Sequence, residues 1–329
     1  METVSCNLCG SSRARPLLTS PDRRCGVEGT FSVVQCLSCG LIYLNPRPDA
    51  SSIGRYYPSA YGSYAEPVPF PVATDFRGAR GWLRGQMFVR GSPIGTVLRG
   101  YYVRWLGNWR WFYAADPARR GGRVLDLGSG AGQTLSLFKQ FGWEVCGVDS
   151  SPHAVEPARR KGLTVHLGQL AEARFPNEHF DLVWICHTLE HLHNPRATLQ
   201  EVRRILKPAG TVCLEIPLAE GVLPRLFGPY NLQWECPRHL YHFSRKTLRR
   251  MTESCGFRLR VLDRGSSPWV FSMSLSYFLE DRFPRWAQRI RRPLSDHPQH
   301  KLWFPILWLI AAVIRISGQG EALVVELRK

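Results

Sequence analysis

Four groups of residues in this chain have the types and spacing that chemistry requires. Cys6-Asn7-Leu8-Cys9 and Cys36-Leu37-Ser38-Cys39 are two Cys-x-x-Cys pairs twenty-six residues apart. A tight turn brings both thiolates of a pair to one side, and the glycine that follows each, Gly10 or Gly40, lets the backbone pass beneath an ion. Cys6, Cys9, Cys36 and Cys39 together supply the four soft donors of a closed, structural zinc site. Two redox dithiols are the competing reading, which a doubled pair at this spacing disfavours. The second group is the glycine loop Gly128-Ser129-Gly130-Ala131-Gly132, with an acid, Asp149, twenty-one residues beyond its start. The third is His187, Glu190 and His191, whose spacing could put all three on one helical face. The fourth is Glu235 and His239 in the run Trp234 to Ser244, where His242, three residues on, would point elsewhere in an extended chain. Histidine near a carboxylate is the usual pairing for taking a proton from a hydroxyl.

These groups need elements to hold them. Arg123 to Leu127 reads as a buried parallel strand, and the glycine loop leads from it into a helical run from Thr134 to Phe141. Strand, glycine loop and helix make a close-approach site at a helix N-terminus. Glu144 to Val148 is a second strand ending at Asp149, whose carboxylate can accept both ribose hydroxyl protons of a nucleoside cofactor. The dinucleotide fingerprint asks for a third Gly or Ala where Gln133 stands, so a nicotinamide cofactor is disfavoured. His187 lies just past a strand over 180–184, at the carboxyl edge where open α/β sheets bind ligands. Phe257 to Asp263 and Ala322 to Arg328 read as the last two strands.

The ordered set resembles class I S-adenosylmethionine-dependent methyltransferases. Val124 to Gly132 resembles their first motif and Gly147-Val148-Asp149-Ser150 their second. Phe180-Asp181-Leu182-Val183-Trp184 is similar to their fourth strand, and Arg204 to Gly210 to the approach to the fifth. The resemblance implies that S-adenosylmethionine is the cofactor, and that Asp126, Gly128, Gly130 and Gly132 shape its methionine pocket. It implies that Asp149, with Ser150, holds the ribose, and that Gln169 and Leu170 meet the adenine. With its N-terminal ribbon the chain is similar to a bacterial subgroup of sugar, polysaccharide and natural-product methyltransferases, whose Pro-x-His-Leu-Tyr-x-Phe-Ser segment Pro237 to Ser244 resembles. Some quinone O-methyltransferases bind a divalent metal at a segment like His187–His191, but they carry a carboxylate where this chain has His187, so that metal is not carried over.

The expected fold is therefore α/β. It comprises a Rossmann-like seven-stranded methyltransferase sheet, an N-terminal zinc ribbon and a helical insertion before the last strand. The expected domains are the ribbon over 1–50, a basic aromatic helical connector or lid over 51–120, and the methyltransferase domain over 121–329, with the insertion at about 266–319. In the connector nine arginines from Arg77 to Arg120 face the single acid Asp116. In the insertion Leu302 to Ile314 is almost wholly apolar. Thirteen residues are too few to span a bilayer, which takes ~20. A buried helix, a homodimer contact and a helix lying on an anionic membrane surface all stay open for it.

Composition bounds the rest. Apolar residues make up 44% and charged residues 21% of 329, as in globular enzymes. The net charge of +17 suits anionic partners, whether phosphorylated substrate, lipid or nucleic acid, without choosing among them. Met1 to Gly10 has no signal-peptide core, so a cytoplasmic enzyme is expected, or one held peripherally at the inner face of the membrane. The expected reaction is methylation of a hydroxyl, or a sugar carbon, on a glycan, lipid-linked sugar or small metabolite. His239 is the favoured base, oriented by Glu235, with His187 as the other candidate. An RNA methyltransferase and a non-catalytic cofactor-binding interaction protein are the alternatives.

Overall fold

The structure is a computed structural model and describes residues 1–58, 61, 113–114, 121–286 and 304–329. The chain divides into two compact units. One comprises residues 1–58, 186–200 and 214–327, and the other 59–185, 201–213 and 328–329.

The second unit carries the glycine loop. Strand β4 (Arg123–Leu127) pairs in parallel with β5 (Glu144–Asp149) on one side and with β7 (Phe180–Cys186) on the other, and β5 pairs in parallel with β6 (Val165–Leu167). Leu182, Val183, Trp184 and Ile185 are all buried, as expected for a strand covered on both faces. Helix α1 (Gln133–Gln140) buries Leu135 and Phe138, and Phe138 meets Trp143 edge-on at 5.2 Å and Trp184 at 6.0 Å between ring centroids. Helix α2 (Pro152–Arg160) closes a second cluster of Leu135, Val155, Ala158, Leu163 and Val165.

Strand β8 (Leu206–Pro217) follows helix α3 (Pro195–Ile205), with residues 206–213 in the second unit and 214–217 in the first. Strands β10 (Arg258–Gly265) and β11 (Ala322–Arg328) complete a seven-stranded sheet of order β10-β11-β8-β7-β4-β5-β6. In order of sequence this is the arrangement expected for the methyltransferase sheet, with the chain reversing direction across the sheet at β4.

The first unit holds a four-stranded sheet of order β1-β2-β3-β9, from β1 (Ala14–Pro21), β2 (Thr30–Cys36), β3 (Ile42–Leu44) and β9 (Tyr241–His242). Its fourth strand comes from the loop after β8, where Ile42 pairs with His242 and Tyr43 with Tyr241. A strand two hundred residues downstream thus completes the sheet that begins in the first fifty residues. Of the connector read over 51–120, all but 51–58, 61 and 113–114 lies outside the described residues.

The insertion contains α6 (Pro268–Arg282) and α7 (Phe304–Ile316), with residues 287–303 outside the described set; the short helix α4 (Val222–Phe227) precedes it, as does α5 (Arg245–Ser254). Leu223, Phe227, Leu232, Val270, Met273, Tyr277 and Ile314 form one buried cluster beneath these helices. Helix α7 buries Ala311 and Ile314, yet Ile306, Leu309, Val313 and Ile316 are 51–67% exposed. The reading of α7 as a buried helix thus holds for one face only. No described helix is long and apolar enough to cross a membrane.

Candidate functional site

The cofactor loop is held from two directions. Gly128 and Ser129 donate their N–H groups to the Val148 carbonyl at 2.8 and 3.2 Å, and Gly132 donates to Ser129 at 3.0 Å. Gly132 has φ +80°, a conformation that favours glycine, and a Cβ there would also meet Ala158 Cβ at 3.2 Å and oblige the Leu163 side chain to move. Asp149 ends β5, and its Oδ2 accepts from Gly130 N at 2.9 Å while its Oδ1 accepts from Ser151 N at 2.9 Å. Burial pushes the Asp149 carboxyl above the usual carboxylate range, against the pull of these backbone donors. Each carboxylate oxygen keeps a second lone-pair direction, enough to accept a pair of vicinal hydroxyls. Asp126 is buried in β4, Ser150 and Gln169 are exposed, and Leu170 is buried. The glycine cradle and anchored acid of the second unit thus fit a nucleoside cofactor.

The four ribbon cysteines converge. Cys6 and Cys39 sulfurs lie 3.4 Å apart, Cys9 and Cys36 3.6 Å, and all four fall within 4.8 Å of one another. Zn–S bonds of ≈ 2.3 Å at tetrahedral angles put sulfurs ~3.8 Å apart, so the cluster is sized for such an ion. Burial raises the Cys6 thiol to about 11 and raises Cys39 too, which a bound dication would reverse. Cys25 and the remaining cysteines form no disulfide.

The histidines and carboxylates of the first unit gather differently from the helical face expected for His187, Glu190 and His191. Leu189–His191 form a single 3₁₀ turn, and His187 precedes it with φ +49°. The tight turn separates the three into two clusters, Cys186–His187–Glu215 and Glu190–His191–His239. His187 is about half exposed (48%), with Nδ1 3.4 Å from Glu190 and Nε2 3.7 Å from Glu215. Burial opposes its charge, but Cys186, Glu190 and Glu215 outweigh that and hold its pKa well above the usual imidazole value.

His239 is only 6% exposed. Its Nδ1 lies 2.8 Å from the Gln233 carbonyl, so that carbonyl, and not Glu235, orients the ring. Glu235 instead accepts from Arg238 Nε at 3.1 Å and stands 3.9 Å from His239 Nε2. Burial lowers the pKa of His239 to about 4, which keeps its ring neutral. Burial would raise Glu235, yet His239, Arg24 and Arg238 hold it down to about 2. His242, expected to point elsewhere, packs edge-on against Trp234 with its centroid 6.2 Å from that of His239. His187 and Glu235 (φ +30°) are two of four non-glycine residues at positive φ among those described, a conformation that costs ~1–3 kcal/mol and concentrates at functional sites.

Residues that sequence reasoning gave no role stand among these. Arg238 is fully buried and grips Asp22, also fully buried, through two hydrogen bonds of 2.6 and 2.9 Å. Glu215 joins His187 from β8. Nothing local in the sequence marks either contact, because each partner lies 28 or more residues away.

A family model described as a methyltransferase domain matches residues 106–261. The chain is 27% identical over 274 residues to the tRNA U34 carboxymethyltransferase of Hahella chejuensis, a match that covers 69% of this chain and 84% of that one. It is 34% identical over 110 residues to the chloroplastic 2-methyl-6-phytyl-1,4-hydroquinone methyltransferase 2 of Oryza sativa, covering 32% of each. Among solved structures, a SAM-dependent methyltransferase from Archaeoglobus fulgidus aligns with TM-score 0.43 and 20% identity over 71% of this chain and 99% of that one. Sheet order, glycine loop and the matched domain define the chain as a class I S-adenosylmethionine-dependent methyltransferase.

Proposed function

We propose that this methyltransferase alkylates a hydroxyl, or a sugar carbon, of a glycan, lipid-linked sugar or small hydroxylated metabolite. The observation that supports it is His187, half exposed just past β7 and flanked by two carboxylates. Bound S-adenosylmethionine supplies an electrophilic methyl carbon whose sulfur leaving group needs no acid. His187 in its neutral form takes the acceptor proton as the new bond forms, and Glu190 and Glu215 stabilise the imidazolium that results. Because Cys186, Glu190 and Glu215 raise its pKa, the neutral form gains population only as pH rises above the usual imidazole range. His239 and Glu235, in the same unit as His187, are further candidate contacts for the acceptor. For the cofactor, Asp149 accepts the ribose hydroxyls, with Ser150 next in sequence. Asp126 and the glycines at 128, 130 and 132 shape the methionine end, and Gln169 and Leu170 meet the adenine. Zinc closes the Cys6–Cys9–Cys36–Cys39 cluster as a structural ion.

Action on RNA is the second reading. It is favoured by the tRNA-modifying relative, whose match covers 69% of this chain, and by the net charge of +17. Labelled cofactor offered to cell glycan, lipid and RNA fractions separates the two, with Asp149→Ala as the blank. Label in the glycan or lipid fraction that disappears in His187→Ala supports the main reading, and label confined to RNA overturns it.

The raised Asp149 pKa gives a pH dependence with a definite sign. A carboxylate accepts ribose hydroxyls, and a carboxylic acid loses that capacity on one oxygen. Affinity for S-adenosylhomocysteine should therefore fall on acidification, starting at higher pH than an ordinary aspartate would allow. Asp149→Asn should bind at least about tenfold more weakly, ~1.4 kcal/mol, and show no such slope. Calorimetry across a pH series measures both, and an unchanged affinity in Asp149→Asn would remove the ribose assignment.

A further inference from the structure

We propose that Glu190, His191 and His239 bind a divalent transition-metal ion, separate from the four-thiolate cluster of the ribbon. The donors of this triad lie within 4.8 Å of one another. The two rings stand nearly perpendicular, 4.6 Å apart between centroids. Each ring has one nitrogen already engaged by main chain. His191 Nδ1 is 3.0 Å from the Arg238 carbonyl, with the Tyr57 hydroxyl also at 2.9 Å, and His239 Nδ1 is 2.8 Å from the Gln233 carbonyl. A carbonyl can only accept, so both Nδ1 atoms carry the proton and both Nε2 atoms present lone pairs. That is the arrangement by which a second layer of contacts fixes the tautomer of metal-bound histidine.

Glu190 is the independent observation. It is completely buried, and neither carboxylate oxygen accepts a hydrogen bond. Its ion pair is with His187 Nδ1 at a long 3.4 Å. A buried carboxylate with unsatisfied oxygens is costly, and a cation between it and two imidazole lone pairs would satisfy all three. Glu235, 3.9 Å from His239 Nε2, adds a further negative charge on the same side. The two segments are clasped by main chain as well, since Leu240 N donates to the Glu190 carbonyl at 2.8 Å.

Donor chemistry selects the ion. Two imidazoles and one carboxylate suit zinc, manganese, iron or cobalt rather than calcium or magnesium. Bonds of ~2.0–2.2 Å at tetrahedral angles put donors ~3.4 Å apart, so a pair at the 4.8 Å limit would close in by about 1.4 Å on binding. Three protein donors leave coordination positions open, the pattern of an ion that engages water or substrate rather than one that only staples a fold.

Cobalt(II) is the probe, titrated into the metal-stripped full-length protein. The expected result is two equivalents bound. One shows thiolate-to-cobalt charge transfer, and the other shows only the weak ligand-field absorption of nitrogen and oxygen donors. Glu190→Gln and His239→Gln should each lose the second equivalent and keep the thiolate band, which reports that the ribbon has folded. In the unmutated protein, paramagnetic shifts on the imidazole resonances of His191 and His239 should appear only with the second equivalent. Saturation of the unmutated protein at one equivalent overturns the proposal, as does a second equivalent that shifts neither imidazole.

Discussion

Replacing Arg238 by methionine should destabilise the protein by about 3–5 kcal/mol, because it leaves Asp22 as a buried charge without its cation. Both side chains are fully buried, and the guanidinium makes two hydrogen bonds to Asp22, a third to the Tyr56 carbonyl and a fourth to Glu235. Asp22 also collects the backbone N–H groups of Arg24 and Cys25, so the carboxylate cannot turn away without stranding the loop that follows β1. Burial disfavours the Arg238 charge, but Asp22 outweighs it and raises its pKa. Coulomb attraction wins here only because the geometry is bidentate, which a lysine could not reproduce. Adding Asp22→Leu to Arg238→Met should restore much of the loss, since a buried ion pair is often replaceable by packed apolar groups while half of one is not. Urea unfolding of the two single variants and the double measures this. A single variant with the wild-type midpoint would refute it.

Stripping the ion from the four-cysteine cluster should have a comparable effect. Structural zinc contributes ~10–16 kcal/mol to folding in isolated finger peptides. With an unfolding entropy of ~2.1 cal/mol/K per residue, even ~3 kcal/mol would lower the thermal midpoint of a chain of this size by roughly 4 °C. Strands β1, β2 and β3, with Leu41 just before β3, have little apolar core of their own beyond Phe31, Val33, Val34, Leu41, Tyr43 and Leu44, so the ion is expected to hold much of the ribbon. Scanning calorimetry before and after chelation, with metal content measured in parallel, checks this. Cys36→Ser should start at the lowered midpoint and not respond to chelator. A midpoint that stays put after the metal has demonstrably gone would show the ribbon to be stable on its own contacts.

What could be read from the chain alone was what depends on short-range order. The strand over 123–127, the glycines and Asp149 follow one another within 27 residues, and their spacing carries their meaning. Ala322–Arg328 was legible as a strand because its apolar run is bounded by polar residues. The histidine clusters were legible only as residues. His187, Glu190, His191 and His239 could be singled out by type, but a helix was expected where a single 3₁₀ turn forms, and that turn decides which carboxylate meets which ring. The pairing of Asp22 with Arg238 lay beyond reach, since 216 residues separate them and burial of a charge depends on tertiary contacts. The segment Trp234 to Ser244 was read for chemistry, yet part of it serves as a strand of the ribbon sheet.

That two-residue strand changes what the first fifty residues are. Tyr241 and His242 zip onto β3, and the Leu44 amide donates to the Leu240 carbonyl at 2.9 Å. His239, one of the three residues proposed to ligate an ion, sits one position upstream of that stitch. The ribbon is thus no detachable handle. A chain shortened to begin after Pro48 would bare a sheet edge, strip Arg238 of Asp22 and untether the segment that carries His239. Grafting a ribbon from elsewhere would succeed only if its third strand offered the same register to residues 241–242.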